Sequence, residues 1–322
     1  MEPDFKTSTV ATPAPEEPPK GEQPVPIQRY PVITLLACGI FVVVFFGLMN
    51  EGNANSWEVL EKWGCFPPDK IRAGAVWAYI TSVFVHQALW HVAFNVYWLY
   101  VLGARLERAI GWWRWLAFFL GAAFVSSGAE FAISGTTGIG ASGVVYAIFG
   151  FMWVTRHKYP GFQKIVESRT AVWFVLWLCG CMAMTLTKVW EVGNSAHVAG
   201  LLFGAGIGAW VLWPSRRALL RLGFAGLLLL AIVPVFWAPW SVDWTADRGN
   251  RAYLRGDYTS AVKWYERSMR LGQDQGWCWK NIALSYSAAG DKARYDQALN
   301  SLRSLDSKAA DEVERVIGTK PK

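Results

Sequence analysis

The five cysteines of this chain, Cys38, Cys65, Cys179, Cys181 and Cys278, have no metal-ligand spacing and no even framework. That excludes a cysteine-based metal site and a disulfide scaffold as organising devices. Cys38, Cys179 and Cys181 fall in apolar runs, where a thiol is a small hydrophobe. A Cys65–Cys278 disulfide is open, because sequence alone does not set their separation. No cleavable signal peptide is visible. The first 30 residues hold seven prolines and no apolar run, and are expected to form a disordered cytoplasmic tail. Carboxylates are scarce in the apolar region. Only Glu130 lies clearly inside a candidate span, which weighs against a transporter using histidines as proton relays.

What is present is apolar and unevenly spread. The 322 residues are 53% hydrophobic, and residues 31–240 hold the excess. Many of the 20 tryptophans sit near the ends of apolar runs, among them Trp90, Trp112, Trp113, Trp213, Trp237 and Trp240. Such belts mark membrane interfaces. Seven spans are expected, over 31–49, 90–106, 115–133, 142–155, 171–186, 196–213 and 219–237. Several are shorter than the roughly 20 residues of a full crossing.

Lysine and arginine set the orientation. Ten lie in the loops after the second, fourth and sixth spans (Arg105, Arg108, Arg114, Arg156, Lys158, Lys164, Arg169, Arg216, Arg217, Arg221). Four lie in the loops after the first, third and fifth (Lys62, Lys70, Arg72, Lys188). The richer side is cytoplasmic. The N-terminus is then inside, and the C-terminus lies on the outer (periplasmic, extracellular or lumenal) side. The net charge of +7 sits largely in these loops and calls for no nucleic acid.

Beyond Trp240 the chain becomes polar and amphipathic. Gly256-Asp257 recurs as Gly290-Asp291, a period of 34, and Ala261, Tyr265 and Leu271 follow helical spacing. This resembles a tetratricopeptide repeat. The match is partial: Gln273 stands near the place of the closing proline, and Tyr295 stands where a small residue belongs. The alternative is a generic helical hairpin domain. Two units are few for a free-standing solenoid, so the tail is expected to dock on something, and it offers a surface to a protein partner.

Two polar residues inside apolar stretches carry the chemistry. Ser142 follows Gly138-Ile139-Gly140-Ala141 and is expected to begin a helix, where free N–H groups favour developing negative charge. The plain alternative is a capping serine. His197 follows 55 residues later, in a span carrying Ala196, Gly200, Gly204 and Gly208 at intervals of four. That small-residue seam permits close helix packing and would bring His197 against another helix. The alternative is a structural histidine bonded to a carbonyl. A serine with a histidine is the smallest set that makes a nucleophile and its base. His91 and Asn95, four apart, are candidate oxyanion donors, with an interhelical clasp as the alternative. Tyr146, one turn from Ser142, is expected to pack on the His197 ring. No carboxylate is positioned in sequence to orient His197, so a dyad is expected.

The set His86…His91-Val92-Ala93-Phe94-Asn95, Gly140-Ala141-Ser142-Gly143-Val144-Val145-Tyr146-Ala147 and Ala196-His197-Val198-Ala199-Gly200 resembles the rhomboid intramembrane serine proteases. The likeness covers about residues 31–215, and its motifs are specific jointly. It implies an all-α, polytopic membrane helix bundle with a six-helix core over 31–215. To this are added a seventh span at 216–240 and a small soluble helical-repeat domain at 241–322. It implies an intramembrane serine endopeptidase acting on the transmembrane segments of other proteins. In that reading Ser142 is the nucleophile and His197 the general base. His91, Asn95 and the Ser142 N–H form the oxyanion hole, Gly140 belongs to the nucleophile's loop, and Tyr146 stacks on His197. Gly200 and Gly204 serve helix packing, and Glu107 matches the family's acidic position after the second helix. No metal or organic cofactor is required. The bilayer, expected to be a bacterial cytoplasmic membrane, and transmembrane protein substrates are the implied partners. One departure stands out: where the family often has Trp-Arg in the loop after the first helix, this chain has Trp77-Ala78. The rival reading is a catalytically silent rhomboid-fold scaffold that binds membrane proteins through its tail.

Overall fold

The structure is a computed structural model that describes residues 30–318. The proline-rich segment expected to be disordered lies, apart from Tyr30, outside the described residues. Among the described residues every regular element is helical. Helix α1 (Val32–Met49) leads into a long connection that holds α2 (Trp57–Lys62), α3 (Pro68–Arg72) and α4 (Ala78–Thr81). Helix α5 (Leu89–Trp98) runs through a π-helical turn, Leu99–Gly103, into α6 (Ala104–Ile110). Gly111, at φ 85°, turns the chain into α7 (Trp112–Ser134). Then come α8 (Ser142–Thr155), short α9 (Pro160–Gln163), α10 (Ser168–Leu186), α11 (Asn194–Leu212) and α12 (Arg217–Phe236).

Five helices among the described residues are long and apolar enough to cross a membrane: α1, α7, α10, α11 and the stretch Pro214–Phe236 containing α12. The protein is an integral membrane helix bundle with a polar helical region after it. The two other expected spans, α5–α6 and α8, fall short for physical reasons. The first carries His91 and Asn95 in its opening turns and is interrupted by the π turn. The second has only 14 residues. It is apolar on every side, and almost all of it is buried. A helix apolar all round belongs in the centre of a bundle, and α8 is packed against α11, α7, α5 and the π turn.

The entry to the bundle is fixed by a carboxylate. Glu107 of α6 is fully buried and accepts from Ile33 N at 3.0 Å, Thr34 N at 2.8 Å and Thr34 Oγ1 at 2.8 Å. These are the opening N–H groups of α1, which have no partner within their own helix. The negative charge also suits the positive helix end.

Ala78 is fully buried beside Ile71, Tyr79, Phe131, Ala231 and Val235. Ala231 and Val235 belong to α12, and Tyr79 Oη donates to Ala231 O at 3.1 Å. A long cationic side chain at position 78 would meet this apolar packing.

The polar region folds as helical hairpins: α13 (Val242–Leu254) with α14 (Tyr258–Arg270), and α15 (Gln275–Ala288) with α16 (Lys292–Leu305), followed by α17 (Ser307–Gly318). The 34-residue period is the spacing of two equivalent turns. Gly256 and Gly290 both take left-handed φ, at 77° and 75°. Asp257 and Asp291 then cap α14 and α16, accepting from Ser260 N and Arg294 N. Tyr265, Ile282, Ala283, Leu299 and Leu302 form the shared core. The hairpins are held to the bundle by Trp240 Nε1 donating to Ala132 O at 2.8 Å and Arg72 donating to Ser241 Oγ at 3.3 Å. The Arg72 guanidinium also lies 5.0 Å from the Phe131 ring centre. All five cysteines are free, so the Cys65–Cys278 disulfide left open by the sequence is absent.

Candidate active site

The loop from α7 to α8 is built from glycines that bend left-handed. Gly135, Gly138 and Gly140 have φ of 84°, 66° and 89°. A Cβ on Gly140 would press into the His91 ring, and the Gly140 N–H donates to Ser82 O at 3.2 Å. The chain therefore arrives at Ala141 in one register, and Ser142 becomes the first residue of α8. Ala141, not Ser142, holds the capping position, so the serine hydroxyl is free for another partner.

That partner is on α11. The seam of small residues lets the two backbones touch. A Cβ on Gly200 would overlap the Gly143 carbonyl oxygen, and one on Gly204 would overlap the Ala147 carbonyl oxygen. Gly150 does the converse, lying against the Leu201 carbonyl. At this spacing His197 Nε2 lies 2.8 Å from Ser142 Oγ. His197 is 2% exposed, and its Nδ1 has no partner in the protein. The Tyr146 ring is stacked on the imidazole, with centroids 4.8 Å apart and planes at 29°. Tyr146 Oη donates to Phe174 O at 2.9 Å, which pins the ring.

Asn95 is 1% exposed. Its Nδ2 donates to His91 O at 2.9 Å, while its Oδ1 has no protein partner. The His91 ring packs edge-on against His86, at 4.9 Å. A cavity of about 350 Å³ lies between α5, α8 and α10. Asn95 and Ser142 line it together with Trp98, Tyr146, Phe174 and Trp177. The geometry thus brings Ser142, His197, Tyr146 and Asn95 to one locus. It sets His91 and Gly140 against each other at the edge of that locus, and His91 does not line the cavity. Among the described residues no group of three or more His, Cys, Asp or Glu side chains is arranged to hold a metal.

One residue near the site escapes sequence reasoning. Glu130 of α7 is 6% exposed and accepts from Ser195 Oγ at 2.5 Å and Ala196 N at 3.2 Å. The signal was an acidic residue inside an apolar run. Its partners lie 65 and 66 residues away, and no local pattern connects them.

The comparisons bear on the membrane part. A family model described as the rhomboid domain matches residues 73–214. The Rhomboid protease GlpG of Serratia proteamaculans (strain 568) is 30% identical over 178 residues, covering 55% of this chain and 62% of the relative. The proteins of that name from Salmonella paratyphi A and Salmonella typhi are each 28% identical over 172 residues, covering 53% of this chain and 59% of the relative. The chain therefore spans about three-fifths of the length of these relatives. The likenesses are to the rhomboid domain and to proteins named rhomboid protease, and they lie over the membrane part of the chain. The family match ends at residue 214, before α12 and the hairpins.

Proposed function

We propose that this protein is a serine endopeptidase that cleaves transmembrane segments of membrane proteins through a Ser142–His197 dyad. The observation that carries the reading is the 2.8 Å approach of His197 Nε2 to Ser142 Oγ inside the bundle. With its proton on Nδ1, the imidazole accepts from the serine hydroxyl and serves as general base. Ser142 Oγ attacks the carbonyl carbon of a substrate peptide, and its proton passes to His197 Nε2. The C–N bond breaks as His197 protonates the leaving amine, which gives an acyl-enzyme. Water then attacks the ester and gives a proton to His197, which passes it to Ser142 Oγ as the acyl C–O bond breaks and the acid product leaves. The Ser142 N–H at the start of α8, together with Asn95 and His91, stabilises the oxyanion. The aromatic cavity beside Ser142 suits an apolar substrate segment. A substrate helix must unwind there, so segments with small or helix-breaking residues are favoured.

The excess of basic residues in alternate loops supports a cytoplasmic N-terminus, with the hairpins on the outer side of a bacterial cytoplasmic membrane. The equivalent turns 34 residues apart support a tetratricopeptide-like repeat that holds substrate ectodomains or a partner.

The test is fluorophosphonate labelling of the purified protein in detergent, alongside Ser142→Ala and His197→Ala. Label in the wild type that both substitutions abolish is expected. A folded wild type that takes no label, and cleaves no transmembrane substrate after return to bilayers, would leave the silent-scaffold reading standing.

A further inference from the structure

Helix α11 opens without a side chain of its own to cap it. Gly193 is the capping residue, and no local side chain accepts from the first turn. The orphan N–H groups of a helix start need partners, most of all in a low-dielectric interior. Here the acceptor comes from another helix. Glu130 Oε2 takes the Ala196 N–H and the Ser195 hydroxyl, one and two residues before His197.

The same side chain lies near the loop that leads to the other half of the pair. Cβ atoms built on Gly138 and on Gly193 would each stand 3.4 Å from the Glu130 side chain, so both glycines lie close to it. Gly138 is four residues before Ser142, in the loop that delivers the serine, and Gly193 immediately precedes α11. Glu130 therefore binds the segment that leads to His197 and lies close to the segment that leads to Ser142.

We infer that Glu130 is a positioning residue: its carboxyl group fixes the start of α11 relative to the 138–141 loop and so sets the Ser142–His197 approach. The inference rests on the dyad reading for its functional meaning. It also requires a purely geometric consequence that can be read without turnover.

The test compares Glu130→Leu, Glu130→Gln and Ser195→Ala with the wild type and Ser142→Ala. Leucine fills similar volume and removes both acceptor contacts, whereas glutamine keeps an acceptor oxygen for the Ala196 N–H. Glu130→Leu is expected to lower kcat and the fluorophosphonate labelling rate on the order of 10- to 100-fold, with KM little changed, because small misplacements of reacting groups cost that much. Glu130→Gln is expected to recover most of the rate, and Ser195→Ala to fall between. The second readout is the imidazole resonances of histidine-labelled protein, with His197 assigned by His197→Ala. In Glu130→Leu they are expected to move toward those of Ser142→Ala, and in Glu130→Gln to remain near the wild type. Glu130→Leu with wild-type labelling and unmoved His197 resonances would overturn the inference. A wild type that takes no label would instead count against the hydrolase reading, and the resonances would still decide the positioning role. If Glu130→Leu does not fold, the same comparison is decided by Ser195→Ala, whose unmoved resonances and rate would refute the role.

Discussion

Gly200 lies directly against the carbonyl oxygen of Gly143, with no room for a side chain between them. Gly143 follows Ser142 and Gly200 lies three residues after His197, so this backbone contact fixes the distance across the pair. Gly200→Ala must move α11 away from α8 or strain both. Overpacking of this kind costs about 1–3 kcal/mol. Thermal unfolding in detergent should show a lower Tm, and Ser142 labelling should fall further than the Tm shift alone explains. A variant with wild-type Tm and wild-type labelling would refute the seam's role.

Tyr146 offers two separable contacts. Tyr146→Phe keeps the ring on His197 but removes the hydroxyl's bond to the Phe174 carbonyl, which costs about 1 kcal/mol in stability. Labelling should remain within a few-fold of wild type. Tyr146→Ala removes the stack and should lower the labelling rate about tenfold or more. Equal rates for the two variants would mean that the ring contact is unimportant.

Glu107 is the sole protein acceptor found for Ile33 N and Thr34 N among the described contacts. Glu107→Ala leaves buried donors unpaired, at about 1–3 kcal/mol per group. Its effect should be seen in Tm and in protection of the opening turn of α1 from hydrogen exchange. An unchanged exchange pattern around Ile33 would contradict this account.

The hairpins should respond to pH through Asp243. Burial raises its carboxyl above the ordinary aspartate range, and the Arg72 charge partly opposes the rise. Burial likewise lowers the Arg72 guanidinium, with Asp243 and Asp247 opposing. A raised acid binds its proton more tightly in the folded state than in the unfolded chain. Its contribution is present in full below the ordinary value and is lost as pH rises through the raised one. Asp243→Asn removes that loss. The Tm difference, variant minus wild type, should grow as pH rises above the ordinary aspartate value of about 4. A difference independent of pH would show that Asp243 is not the group responsible.

Deletion of residues 241–322 should change which transmembrane substrates are cut and leave cleavage of a generic substrate intact. A panel of substrates with and without folded outer domains would read this directly. Loss of all cleavage by a correctly folded truncated protein would count against a selecting role for the hairpins.

The sequence made the membrane helices and the polar residues within them visible because both signals are local. An apolar run declares a span, and Ser142 or His197 stands out because it interrupts one. The period of 34 was visible for the same reason, since Gly256-Asp257 and Gly290-Asp291 are short turn signals. Contacts between distant elements were not visible. Glu130 meets Ser195 only after α7 and α11 are packed. Tyr79 meets the Ala231 carbonyl only once α12 lies beside the loop. The π turn at Leu99–Gly103 leaves no mark in hydropathy, because it changes hydrogen bonding and not residue type.

Helix α8 has 14 residues. At about 1.5 Å each they span about 21 Å, against a hydrocarbon layer of about 30 Å. A helix this short cannot touch both surfaces, so at least one of its ends stops several ångströms short of the headgroups. The length of α8 then works as a depth gauge. In the protease proposed above, a substrate bond would be reached according to how far beneath the headgroups it hangs.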